Sequence, residues 1–151
     1  SGIEATGSTG SVLTNNISSD NGINSPRTAG NIRTDSFSAA TTVVDYSVLS
    51  LSAAGVMVDW AGKKYTTLAA FRTATGQEPR GLQASPAFVD AAGGDFRLTS
   101  ASPAIDSANS AASGQPSTDA DGLGRVDVET VANTGVGPRA YDDRGAHEFR
   151  P

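Results

Sequence analysis

Two short acidic runs hold the residues of this chain best suited to chemistry. Asp119-Ala120-Asp121-Gly122 sets carboxylates at i and i+2 before a glycine, with Asp127 further on. Calcium takes six or more oxygens from a tight turn, so Asp119, Asp121 and Asp127 are the candidate metal ligands, and Ca²⁺ is the candidate cofactor. The run lacks the third Asx and the closing bidentate Glu of an EF-hand loop, and a plain turn is the competing reading. The second run, Asp142-Asp143-Arg144-Gly145-Ala146-His147-Glu148, contains the only histidine. It offers an acid/base pair or a metal site, against an ion-paired chain end. On a strand, Asp143, Gly145 and His147 would share one face, with Arg144 and Glu148 on the other.

A third candidate is a sugar platform built from Trp60, Lys64 and Tyr65. A flat aromatic face stacks on the apolar face of a pyranose, and a neighbouring cation pairs with a uronic carboxylate. Trp60 filling the space between a hairpin and a helix is the alternative. Other chemistries lack their residues. There is no Gly-x-Ser-x-Gly, a triad would hang on His147 alone, and no phosphate-loop pattern exists. Zinc is disfavoured by one His and no Cys.

These residues must be positioned by short elements. Gly, Ser, Thr, Asn and Asp abound, and Lys occurs only at Lys63 and Lys64. Such a composition favours many short strands over long helices, so the chain reads as all-β. A net charge of −5 and scattered arginines argue against nucleic acid as a partner. No apolar run is long enough to span a membrane. Apolar pieces at Ser11–Ile17, Ala29–Arg33 and Thr42–Leu51 alternate with turns, and Asn15, Asn16 and Asn31 are candidate corner residues. Val56–Trp60 and Lys63–Thr66 read as a hairpin turning on Ala61-Gly62. Thr67 caps a short helix over Leu68–Ala74, stopped by Gly76. Ala87–Asp90 and Asp95–Leu98 read as further strands. The opening SGIEATGSTG has neither a basic nor an apolar signal region, so the chain is expected to start downstream of any export signal, as a fragment.

Ser85–Asp106 (SPAFVDAAGGDFRLTSASPAID) and Asp142–Phe149 (DDRGAHEF) together resemble the closing segment of secreted bacterial right-handed parallel β-helix proteins of the pectate-lyase-like kind. An aromatic-Gly-Lys-x-Tyr segment of the sort seen at Trp60–Tyr65 often precedes it. Ser85, Arg144 and His147 depart from the usual Asp, apolar and Tyr residues. The resemblance implies parallel β-helix rungs over 1–52. A hairpin, one short helix and a C-terminal cap of the same solenoid then fill 53–151, with Phe88, Phe96, Leu98, Ile105 and Phe149 in the cap core. It implies that Asp119–Arg125 is chiefly a turn, with Arg125 pairing a carboxylate. It also implies an extracellular protein acting on a polysaccharide by elimination or hydrolysis, joined to an upstream β-helix segment. Arg27, Arg33, Asp20 and Asp35 are then the groove candidates of the early rungs. A non-catalytic carbohydrate-binding or adhesion module and a purely structural cap are the alternatives.

Overall fold

A computed structural model describes residues 1–23 and 29–151, and Arg27 lies outside the described residues. The chain is mostly β, in strands of two to four residues. Each early strand is a triplet carrying β-branched or aliphatic side chains, bounded by Gly, Asn or Ser that let the backbone bend. They are β1 (Ile3–Ala5), β2 (Val12–Thr14), β3 (Ile17–Ser19), β4 (Ile32–Thr34), β5 (Val43–Asp45) and β6 (Val48–Ser50). The chain then passes through β7 (Val58–Trp60), β8 (Lys63–Tyr65) and β9 (Leu82–Gln83).

Successive passes of the chain pair in parallel. β1, β4 and β7 form one ladder, β2 and β5 a second, and β3, β6 and β9 a third. Like residues therefore stack in columns: Ile3, Ile32 and Val58; Leu13 and Val44; Ile17, Val48 and Leu82. Polar columns stack too. Ser19 Oγ lies 2.8 Å from Ser50 Oγ, 31 residues on, and Arg33 reaches Glu4 at 3.0 Å. Parallel pairing runs past Ser52 to Gln83, so the repeating part extends further than the sequence pattern marks it.

The bends are where the Asn readings apply. Asn15 takes a left-handed φ of 58°, and Tyr46 repeats that geometry on the next pass at 60°. Asn31 is fully buried at another bend, where its Oδ1 accepts the Asn21 N–H and its Nδ2 donates to the Ser50 carbonyl. Asn16 is half-buried and donates to the Thr14 carbonyl.

β8 folds back antiparallel on β7 across Ala61 and Gly62, both at positive φ as a tight hairpin requires. α2 (Leu68–Thr75) follows, with Thr67 accepting the Ala70 N–H and Gly76 closing it at φ 72°. The sequence pattern expects one helix, and the structure has a second, α1 (Ser36–Ala39). Asp35 nucleates it by accepting the Ser38 N–H at 2.7 Å. α1 is a single turn, too short to leave a periodic signal. Among the described residues no helix is long and apolar enough to cross a membrane.

Two cores result. The first is enclosed by the ladders and holds Ile32, Val44, Leu49, Met57, Val58, Trp60, Tyr65, Leu68 and Phe71. In β6, Leu49 points into this core while Val48 points the other way, as strand alternation demands. The second core joins Val48 to Leu98, Ala104, Ile105 and Val128, with Ile17, Leu82, Phe88 and Phe149 packed against it. It is made by the tail after β9, which starts with the hairpin β10 (Phe88–Asp90) and β11 (Asp95–Leu98). Of the expected cap core, Leu98 and Ile105 are buried, and Phe88 and Phe149 partly so. Phe96 is 52% exposed, its ring edge-on to Phe88 at 5.4 Å. No strand forms after Leu98, so the face alternation expected across Asp143–Glu148 does not arise.

Candidate functional site

A cleft of about 980 Å³ lies between β3 and the tail. Asn16, Ser18 and Ser19 bring amides and hydroxyls to one side. Phe88 and Phe96 stand on another, and Gln115, Thr118 and His147 close a third. Its lining takes residues from the first pass of the ladders and from the tail, and none from β6 or β9. Three hydrogen bonds of the Asn15 side chain pin the tail to this level. Asn15 Nδ2 donates to the Asn109 carbonyl and to Gln115 Oε1, and Asn15 Oδ1 accepts the Asn109 N–H at 2.8 Å.

At the cleft wall His147 Nδ1 sits 3.2 Å from Asp121 Oδ2, which is exposed. This is the one place where the two acidic runs meet through side chains on the cleft. Asp119 does something else. Its Oδ1 accepts the backbone N–H groups of Asp121 and Leu123, and its Oδ2 accepts from Arg150 at 3.1 Å. Burial works to raise its pKa, yet these donors together hold it below the ordinary carboxylate value. Hydrogen-bond donors thus take the Asp119 oxygens that a calcium ion would need, and Asp127 is exposed. Among the described residues no three His, Cys, Asp or Glu side chains converge as metal donors.

The sugar platform is turned inward. Trp60 and Tyr65 each keep 8% exposure, and their rings lie 5.3 and 5.4 Å from the Phe71 ring, which fills the space between them. Neither offers an open face for a pyranose. Lys64 is exposed, and it is Lys63 that stands over Tyr65, at 5.2 Å. Arg33 pairs with Glu4. Asp35 caps α1 and Asp20 accepts the Ser52 N–H at 2.6 Å, so of these three groove candidates one bridges two strands and two hold bends.

The acids Asp142, Asp143 and Glu148 of the second run are buried, together with an acid the sequence reading passed over, Asp106. Asp143 accepts the Asp106 N–H at 2.8 Å and the Phe149 N–H at 2.7 Å. Glu148 accepts from Arg125 at 2.7 Å and from the Val126 and Asp143 N–H groups, with both charged side chains almost wholly buried. Asp106 accepts the Val128 N–H, while its Oδ1 has no partner. Burial, offset in part by the Phe149 N–H and reinforced by Glu148, pushes Asp143 up to about 7. Burial likewise lifts Asp106 to about 6, against the Val128 hydrogen bond and with Asp127 and Glu148 adding to it. Arg139 holds Asp142 at 2.9 Å.

Two further charges are buried: Glu78, which the sequence reading passed over, and Arg144, which it marked as a departure from an apolar residue. Glu78 accepts the Ser47 N–H, and burial raises its pKa. Arg144 donates to the carbonyls of Ser107, Ser47 and Arg80, and its guanidinium lies 5.2 Å from the Tyr46 ring. An aliphatic residue here could not tie the tail to the ladders, which is a physical reason for Arg at this place. A search of family models, of curated proteins and of solved structures finds no match to this chain.

Proposed function

We propose that this chain is the C-terminal portion of an extracellular, carbohydrate-active right-handed parallel β-helix protein, supplying its last rungs and its cap. One observation carries the reading: three short parallel ladders stack like residues on like, closed at one end and open at the other. At the closed end α2 places Leu68 and Phe71 over the core, each at most 2% exposed. At the open end Ile3 and Leu13 remain only partly buried. A solenoid core of this kind is completed by stacking another repeat on the open side. The tail motifs at Ser85–Asp106 and Asp142–Phe149 support the architecture. Proteins with such tails include polysaccharide lyases and glycoside hydrolases, so the substrate of this reading is a polysaccharide, cleaved by elimination or hydrolysis on rungs that precede these. The test is the mass and activity of the protein isolated from its native culture medium. The expected product is a longer chain ending in this sequence that depolymerises a polysaccharide, followed by viscosity and new chain ends. A product that leaves every polysaccharide intact overturns the proposal.

A second reading, a cap with no catalytic part, is favoured by the fate of the acids. Asp119, Asp142, Asp143 and Glu148 all spend their oxygens on internal donors. On that reading a parent lacking residues 85–151 keeps its activity and aggregates, because the outward column of Ile17, Val48 and Leu82 is exposed.

A further inference from the structure

β3 is an edge strand, and the cleft lies along it. Its bonds to β6 use alternate residues: the Asn16 carbonyl accepts the Val48 N–H at 2.8 Å, and the Asp20 N–H donates to Ser50 at 3.0 Å. In a parallel pair the intervening residues face away. Ile17 and Ser19 therefore turn their peptide groups to the free edge, where the Ser19 carbonyl accepts from Asn21 Nδ2 at 3.0 Å. The same strand heads the outward column Ile17, Val48 and Leu82, which the tail covers. The tail goes beyond that column. Phe96 stands 52% exposed over the cleft against Phe88, and no ladder side chain covers it. Inside the ladder Ser18, the partner of Leu49, is small and donates to the Asn31 carbonyl.

We propose that the cleft is the seat of one further strand, parallel to β3, whose outward aliphatic side chain is clasped by Phe88 and Phe96. The occupant is an extended segment of the preceding repeat, with an aliphatic residue in register with Ile17 and a flanking residue that extends the Ser19–Ser50 hydroxyl column. The argument is continuity: the cleft prolongs a ladder that already holds three strands in one register. Strand addition to an exposed sheet edge draws its affinity from main-chain bonds and its specificity from alternate side-chain pockets. The exposed phenyl ring then has a structural use, as a wall that extends past the first strand. This deepens the β-helix reading and rests on it. It assigns the cleft to protein rather than to sugar.

The probe is a synthetic peptide of this chain's own second-pass sequence, Thr42–Ser52, flanked by lysines for solubility, with a scrambled peptide as control. It is titrated into the full chain and followed by amide exchange and NMR. The expected result is exchange slowed about tenfold or more at the Ile17 and Ser19 amides, with shifts of the Phe88 and Phe96 ring signals. Phe96→Ala should weaken the effect several-fold, and this variant removes an exposed ring, so it leaves the fold intact. No protection at millimolar peptide overturns the proposal. So does protection that Phe96→Ala leaves unchanged, because the clasp is then absent. Neutral or acidic oligosaccharides that move the same signals, where the peptide does not, reassign the cleft to sugar. Failure here leaves the parent's mass and polysaccharide activity untouched, so the two proposals fall separately.

Discussion

The repeating half and the tail satisfy their backbones in different ways. Up to Gln83 the peptide groups pair largely with one another, strand on parallel strand. After Leu98 no strand forms, and buried carboxylates act as acceptors instead: Asp143 for Asp106 and Phe149, Glu148 for Val126, Asp106 for Val128. Buried N–H groups must find acceptors, and an irregular segment has no neighbouring strand to provide them. The lesson is that clustered acids need not signal catalysis. In this tail they replace a missing sheet. The tail, with two facing raised acids, should therefore respond to pH more strongly than the ladders, where Glu78 is a buried acid with a raised pKa. Each half should fail in its own way.

The largest effect is expected in the core of the ladders. Phe71 is fully buried between Trp60 and Tyr65, and Phe71→Ala should cost about 3–5 kcal/mol of unfolding free energy. Urea unfolding followed by Trp60 fluorescence reads it directly. A loss under 1 kcal/mol would mean that α2 does not close this end.

The tail should respond to pH. Asp143 and Asp106 are lifted to about 7 and about 6, above their unfolded values. The folded state then binds more protons than the unfolded chain between about pH 4 and pH 7. Their contribution is fully present below the unfolded value and is lost as pH rises through 6 and 7. The groups that face the pair are Glu148 with Arg125, and Asp127. A fall on the order of 3 kcal/mol from pH 5 to pH 8 is expected from shifts of this size. Asp143→Asn should remove the larger part of that fall and leave the part that Asp106 contributes. It should also cost about 1–3 kcal/mol at pH 5, since one amide oxygen cannot serve two N–H donors. A flat profile in the parent chain would show that the acids stay charged and paired.

Gly145 tests how closely the tail lies on the ladders. Its φ is +93°, and a Cβ would sit 2.7 Å from Ile17 Cδ1. Strain and contact act together, so Gly145→Ala should cost about 1–2 kcal/mol. Its thermal unfolding should also show the tail releasing first, as a loss of protection at the Gly145 amide, which donates to the Asn15 carbonyl at 2.7 Å. An unchanged melting curve would place the tail further from β3.

How far the sequence foretold this divides along the same line. The hairpin through Ala61-Gly62, the Thr67 cap and the Gly76 stop were legible because each depends on neighbours a few residues away. All-β character was legible from triplets such as Val43–Asp45 and Val48–Ser50. The inward turn of Trp60 was legible as the filler between hairpin and helix, whereas the partner that fixes it, Phe71, arrives from the next element. Asp106 and Glu78 were passed over for a similar reason: their partners, Val128 and Ser47, are distant in sequence and contribute only backbone N–H groups, which carry no side-chain signal. The Asp119–Asp121 spacing does make a turn, but Arg150 completes it from the chain's last residues.

The smallest effect is the most discriminating one. Leu13 and Val44 are directly paired on neighbouring strands and point into the same core, yet Val44 is fully buried and Leu13 only partly. Side-chain chemistry alone makes Leu→Ala the costlier truncation, because it removes more carbon. Position reverses that order. Leu13→Ala should cost about 1 kcal/mol and Val44→Ala about 2–3 kcal/mol, since the area already in water at Leu13 contributes nothing to folding. In a longer parent whose preceding repeat covers β2, Leu13 becomes interior and its truncation should cost at least as much as that of Val44. The ratio of the two losses, measured in the short chain and in the parent, reports whether the ladders continue beyond β1, β2 and β3.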